Sequence, residues 1–156
     1  MGTHRDSRRT FLTGGTAIVA STATAHAQSG PVINDPAVVK EVEAEFAAYY
    51  RALTKNDVAA LNAFFFDSPH TVRYGNAEML YGYDEIKAYR AGVASGAEPK
   101  HERTVITAFG KDFATASTLN RRVSGKVGRT MQTWVRFPQG WRIVAAHVST
   151  IDEPKT

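Results

Sequence analysis

The chain has 156 residues, 43% of them hydrophobic and 22% charged, an ordinary balance for one globular domain. It has no cysteine, which excludes disulfides and thiol nucleophiles. Its formal charge of +4 includes no Lys/Arg run, so neither nucleic acid nor a membrane surface is an expected partner.

The first segment reads as an export leader. Ser7-Arg8-Arg9-Thr10-Phe11-Leu12 is followed by apolar and small residues through Thr24, then by Ala25-His26-Ala27, a small-x-small cleavage signal. The middle is too short and too rich in Gly, Ala and Thr to span a bilayer as a helix. Ser-Arg-Arg-x-Phe-Leu resembles the consensus of twin-arginine leaders, which carry folded cargo. Residues 1–27 are therefore expected to be a twin-arginine signal peptide, and the mature protein to be periplasmic or secreted. Cleavage removes Arg5, Arg8, Arg9 and Asp6, taking +4 down to +2 over the remaining 129 residues.

Residues 28–35 read as a linker and residues 36–151 as the domain. Asp35-Pro36 supplies a helix cap followed by proline at the first helical position. Val39, Val42, Phe46, Tyr49 or Tyr50, and Leu53 then recur at helical spacing. Asn56-Asp57 interrupts that face and starts a short second helix with Val58, Leu61 and Phe64 inward. The period changes to two at Thr71–Gly75, a short strand whose hairpin partner is Met79–Tyr81. Tyr83 to Ser95 returns to helix, and 96–99 is a connector. Arg103–Phe109, Phe113–Arg121, Arg129–Phe137 and Trp141–Ser149 alternate as strands, separated by tight turn chemistry that makes them an antiparallel meander. Helices first and a long sheet last predict an α+β fold, with the helices on one face of a curved antiparallel sheet and a hollow between. The element order resembles the cystatin-like, nuclear-transport-factor-2-like cone.

Several chemistries are missing. The histidines of the mature chain, His70, His101 and His147, lack metal-ligand spacing, no glycine-rich phosphate loop is present, and no Gly-x-Ser-x-Gly elbow occurs. Neither a metal nor another cofactor is expected. What remains is a set of polar residues able to face the hollow. Arg73 sits mid-strand and must reach solvent, an acid such as Glu78 across the hairpin, or a ligand carboxylate, which its fork suits. Tyr49, on the first helix, is either a core tyrosine or a proton donor beside that arginine. In the last strand, period-two alternation groups Ile143, Ala145, His147 and Ser149 on one face, and histidine suits acid–base work near neutrality. Trp134 shares a face with Gln132 on the preceding strand, and Tyr74 adjoins Arg73. Tyr49 and Arg73 are thus the catalytic candidates, and His147, Trp134, Ser149 and Tyr74 the binding candidates. Arg103, Arg121, Arg122, Arg129 and Arg136 read as a solvated face.

Five stretches carry a family resemblance: Asn56-Asp57-Val58, Asp67 to Gly75, Thr104 to Ala116, Gln132 to Pro138, and Gly140 to Ser149. They resemble the AtzH-like (HpxZ-like, oxalurate-catabolism) branch of the SnoaL-like proteins, over nearly all of residues 36–150. The resemblance implies a cone fold and a small homodimer encoded beside amidase machinery for ureido acids of purine or s-triazine breakdown. It implies a cofactor-independent, decarboxylating amidohydrolase acting on a small anionic amide or ureido acid such as 1,3-dicarboxyurea. Its essential tyrosine and arginine match Tyr49 and Arg73. The family setting is cytoplasmic, whereas the leader implies export. Two alternatives stand beside this expectation. One is a non-catalytic dimeric pocket or accessory protein that binds a small carboxylate, with an amidase as partner. The other is a SnoaL-like isomerase or cyclase, for which His147 is the candidate base.

Overall fold

The computed structural model describes residues 30–93, 100–122 and 124–153. Helix α1 (Pro36–Thr54) starts where the Asp35 carboxylate accepts the Ala37 N–H at 2.9 Å and Pro36 takes a position that needs no N–H. Its stripe of Val38, Val42, Phe46, Tyr49 and Tyr50 is buried. Asn56 then turns the chain at φ 52°, a left-handed conformation that asparagine tolerates. Asp57 caps helix α2 (Val58–Phe64) by accepting the Ala60 N–H at 3.0 Å.

Strands β1 (Val72–Tyr74) and β2 (Met79–Tyr81) form the expected hairpin, followed by helix α3 (Tyr83–Gly92). Strands β3 (Lys100–Phe109), β4 (Phe113–Arg121), β5 (Val127–Phe137) and β6 (Gly140–Ile151) form the antiparallel meander. The six strands lie in the order β2-β1-β6-β5-β4-β3. Trp134, Leu61, Ile86, Ile143 and Val42, all buried between the helices and one sheet face, make the core. Each such side chain contributes about 1.5–3 kcal/mol through removal from water. This is the α+β cone that the element order implied.

Four details depart from the sequence reading. The β1–β6 pairing is parallel. Phe65 bridges Ile143 and the Phe66 N–H bonds the Ile143 carbonyl at 3.0 Å, which leads the chain into β1 alongside β6 and in the same direction. Helix α3 stops at Gly92, a weak helix former, and Val93 is extended. The rest of the expected helix, the connector 96–99 and the leader 1–27 lie outside the described residues. The end of the linker is docked: the Asn34 N–H bonds Ala108 O at 2.9 Å and the Gly110 N–H bonds Val32 O at 2.8 Å, covering one end of edge strand β3.

The fourth is a bulge in β6. Thr133 faces Ala145 but Trp134 faces Ile143, so Val144 is an extra residue. An added residue reverses the alternation. Ile143 points to the helices, and beyond the bulge so does Ala146, while His147 and Ser149 turn to the outer face with Met131 and Arg129.

Candidate functional site

Register sorts the site candidates onto two faces. One inward row runs Leu80, Arg73, Ala146, Gln132, Ala116 and Ile106 across all six strands. Arg73 and Gln132 therefore flank Ala146 at two strand spacings, roughly 9–10 Å. Only a methyl group stands between them, beneath the helices. Trp134 lies one inward position further along β5, next to Phe64, whose ring also meets Tyr49 edge-on at 5.7 Å. Tyr49, Arg73 and Trp134 thus share the helix-facing side. No hydrogen bond joins Tyr49 to Arg73.

Arg73 is only 7% exposed. Its Nη1 donates to Glu78 Oε1 at 2.5 Å, and its guanidinium sits 4.8 Å from the centre of the Tyr89 ring. Its Nε and Nη2 make no hydrogen bond among the described residues. Glu78 is held in turn by the Ala77 N–H at 3.3 Å and by the Tyr89 hydroxyl. Gly75 lies beside it, and a Cβ there would push the Glu78 carboxylate out of its present position. Burial raises the Glu78 pKa, but the hydrogen bonds from Arg73, Tyr89 and Ala77 outweigh it and hold the carboxyl at about 2. Burial first, then the bond to Glu78, pushes the Tyr89 phenol up.

Three buried polar atoms on the inward face of β4 and β5 lack a partner among the described residues, Asn120 Oδ1 and two nearer the inward row. Gln132 Oε1 and Trp134 Nε1, in side chains 1% and 0% exposed, have no hydrogen-bond partner among the described residues. Buried polar atoms are nearly always bonded, and such exceptions mark places where a ligand or water belongs. An indole N–H needs an acceptor, and an amide offers both a donor and an acceptor whichever way it is turned.

His147, Ser149 and Tyr74 are not part of this constellation. His147 and Ser149 line a shallow outer hollow of about 530 Å³ with Val105, Leu119, Met131, Arg103 and Arg129. Tyr74 is outward too, its hydroxyl 2.9 Å from that of Tyr81. Arg121 and Arg136 are tied to Glu102, Glu153, Glu41 and Asp112, while Arg103 and Arg129 edge the hollow. Among the described residues no cluster of histidine and acidic side chains could hold a metal ion. Sequence reasoning named Glu78 only as a partner for Arg73, and it missed Tyr89 and Gln132 as site residues. The three-residue step from buried Ile86 to Tyr89 and the shared face of Gln132 and Trp134 were the available signals.

The AtzH-like family profile matches residues 31–154. The chain belongs to the AtzH-like family. Two solved structures agree with the family assignment. A protein of unknown function from the DUF3225 family of Pectobacterium atrosepticum is 47% identical, covering 79% of this chain and 100% of its own, with a TM-score of 0.75. A cystatin-like fold protein from Burkholderia xenovorans is also 47% identical, covering 80% and 100%, with a TM-score of 0.76. An NTF2-like protein of unknown function from Pseudomonas putida shares the fold at 18% identity, covering 78% and 98%, with a TM-score of 0.66. The search of curated proteins returned no match.

The Glu78 pKa gives this AtzH-like protein a defined acid response. A carboxyl lowered from 4.5 to about 2 stabilises the fold above pH 4.5, and that contribution is lost as the pH falls toward 2. It amounts to roughly 3 kcal/mol. Urea unfolding followed between pH 5 and pH 2 should show this loss in the wild type. Glu78→Gln should flatten the slope and lower stability at pH 7. An unchanged slope would remove Glu78 from the account.

Proposed function

We propose that this AtzH-like protein is a cofactor-independent hydrolase that cleaves a C–N bond in a small anionic amide or ureido acid. The observation that carries the reading is the inward row in which Arg73, with Nε and Nη2 unbonded among the described residues, stands across Ala146 from Gln132, whose amide oxygen has no partner there. A guanidinium edge suits a carboxylate, and an amide edge suits a C(=O)–NH group. A ureido acid offers both within a few ångströms. In this mechanism Arg73 clamps the substrate carboxylate and opposes charge developing at the reacting carbonyl. Water adds to the reacting carbonyl carbon, and the Tyr49 hydroxyl, which has no hydrogen bond among the described residues, gives its proton to the nitrogen that departs with the C–N bonding pair. A proton from that water restores the phenol, and any carbamate released then loses carbon dioxide. The isomerase alternative loses its base, because His147 is exposed on the opposite sheet face. A purely binding role uses the same residues and differs only in turnover. With oxalurate-like ureido acids as substrates, Arg73→Ala should lower kcat/KM by at least about a hundredfold, and Tyr49→Phe should act mainly on kcat. If both folded variants turn over like the wild type, the mechanism fails.

The same reading includes a homodimer formed through the outer face. Val105, Met131 and Leu119 are 41%, 53% and 38% exposed there, and Phe113 and Tyr81 extend the patch. Val105, Leu119 and Met131 line one outer hollow, and grouped exposed apolar side chains of this kind suit an interaction surface. Light scattering should give a mass of two chains for the mature protein, and Met131→Arg should halve it. A monomeric wild type at micromolar concentration would rule this out.

The third part of the reading is export through residues 1–27. The paired variant Arg8→Lys, Arg9→Lys should leave uncleaved protein in the cytoplasm, whereas the wild type should fractionate with the periplasm. Equal export of both would show that the arginine pair is not a signal.

A further inference from the structure

Helix α3 carries a second buried cation. Arg90 is 6% exposed and lies one turn beyond Ile86, itself 1% exposed, so both project from the buried side of the helix. A guanidinium cannot lose its charge in a protein, so it cannot escape burial by becoming neutral. Buried charges are normally paired, because an unpaired one forfeits its hydration. Yet Arg90 has no ion pair and no hydrogen bond among the described residues. No acidic partner among the described residues accounts for it.

Its surroundings indicate what it serves. The preceding residue, Tyr89, has the Arg73 guanidinium over its ring and its hydroxyl on Glu78. Both Arg73 and Arg90 act electrostatically on that hydroxyl. Among the described residues, two guanidinium groups and one carboxylate act on Tyr89, an excess of one positive charge carried by two buried arginines. Helix α3 packs on β1 and β2, the hairpin whose first strand carries Arg73 and whose turn carries Glu78, so this excess belongs to the same layer as the inward row.

We infer that Arg90 is a further anion-binding residue of the helix-facing site, receiving a second carboxylate-like group of the ligand while Arg73 receives the first. This rests on the proposed anion site but not on turnover. In it Arg90 sets specificity between singly and doubly charged acids, and Glu78 keeps Arg73 aligned without cancelling the site's net charge.

The test is binding of acetate and malonate to the full-length or leader-cleaved protein, read as ligand-induced thermal stabilisation and as Kd. The wild type should bind malonate at least about tenfold more tightly than acetate. Arg90→Met should erase most of that difference and keep acetate binding, and Arg90→Lys should restore part of it. Without ligand, Arg90→Met should melt at the same temperature as the wild type or higher, since removing an unpaired buried charge relieves a cost. A structural role for Arg90 requires the opposite sign. An apo melting temperature several degrees lower, with the malonate preference intact, overturns the inference and leaves the hydrolase reading standing. No stabilisation of the wild type by either acid removes both. If Arg90→Met does not fold, Arg90→Gln with the malonate preference intact overturns it equally.

Discussion

A guanidinium placed between a helix layer and a sheet sets conditions on everything around it. Arg73 stays charged, so the hairpin must bring Glu78 to it, beside a Gly75 that leaves room for that carboxylate, and Tyr89 must supply both a ring face and a hydroxyl. The result neutralises Arg73 electrostatically while committing one nitrogen of its fork. In register, the next member of its row is an alanine and the third a buried glutamine. Positioning is therefore paid for within the fold, and the unbonded groups are left to a ligand.

Much of this was legible from the residues. The turns Gly110-Lys111-Asp112 and Pro138-Gln139-Gly140 force adjacent antiparallel strands, and the alternation of β5 correctly placed Gln132 with Trp134. Asp35 and Asp57 announced both helix starts. Glu78 was visible as the acid across the hairpin from Arg73. What failed was phase. A single extra residue at Val144 carries no sequence mark, yet it moves His147 and Ser149 to the other side of the sheet. The parallel β1–β6 pairing was equally hidden, because it depends on the contact of Phe65 and Phe66 with Ile143, far apart in the chain. Arg90 could have been found from its four-residue spacing to Ile86, but an arginine at such a position ordinarily reaches solvent.

The two sheet faces divide the protein's tasks along lines that composition alone blurs. The inward face combines a few buried polar groups with aromatic packing, the usual make-up of a small-molecule site. The outward face carries arginines beside exposed apolar side chains, a make-up closer to a protein interface. The AtzH-like relationship fixes the scaffold, and the relatives at 47% identity share it over their whole length.

The central claim is that the polar groups beneath the helices form one ligand site. A crystal structure of the protein soaked with a ureido acid such as oxalurate tests it most directly. The account predicts the carboxylate on the free edge of Arg73 and the amide against Gln132, with the Arg73–Glu78 pair retained. Ligand bound only in the outer hollow beside Arg103, Arg129 and His147 would contradict it.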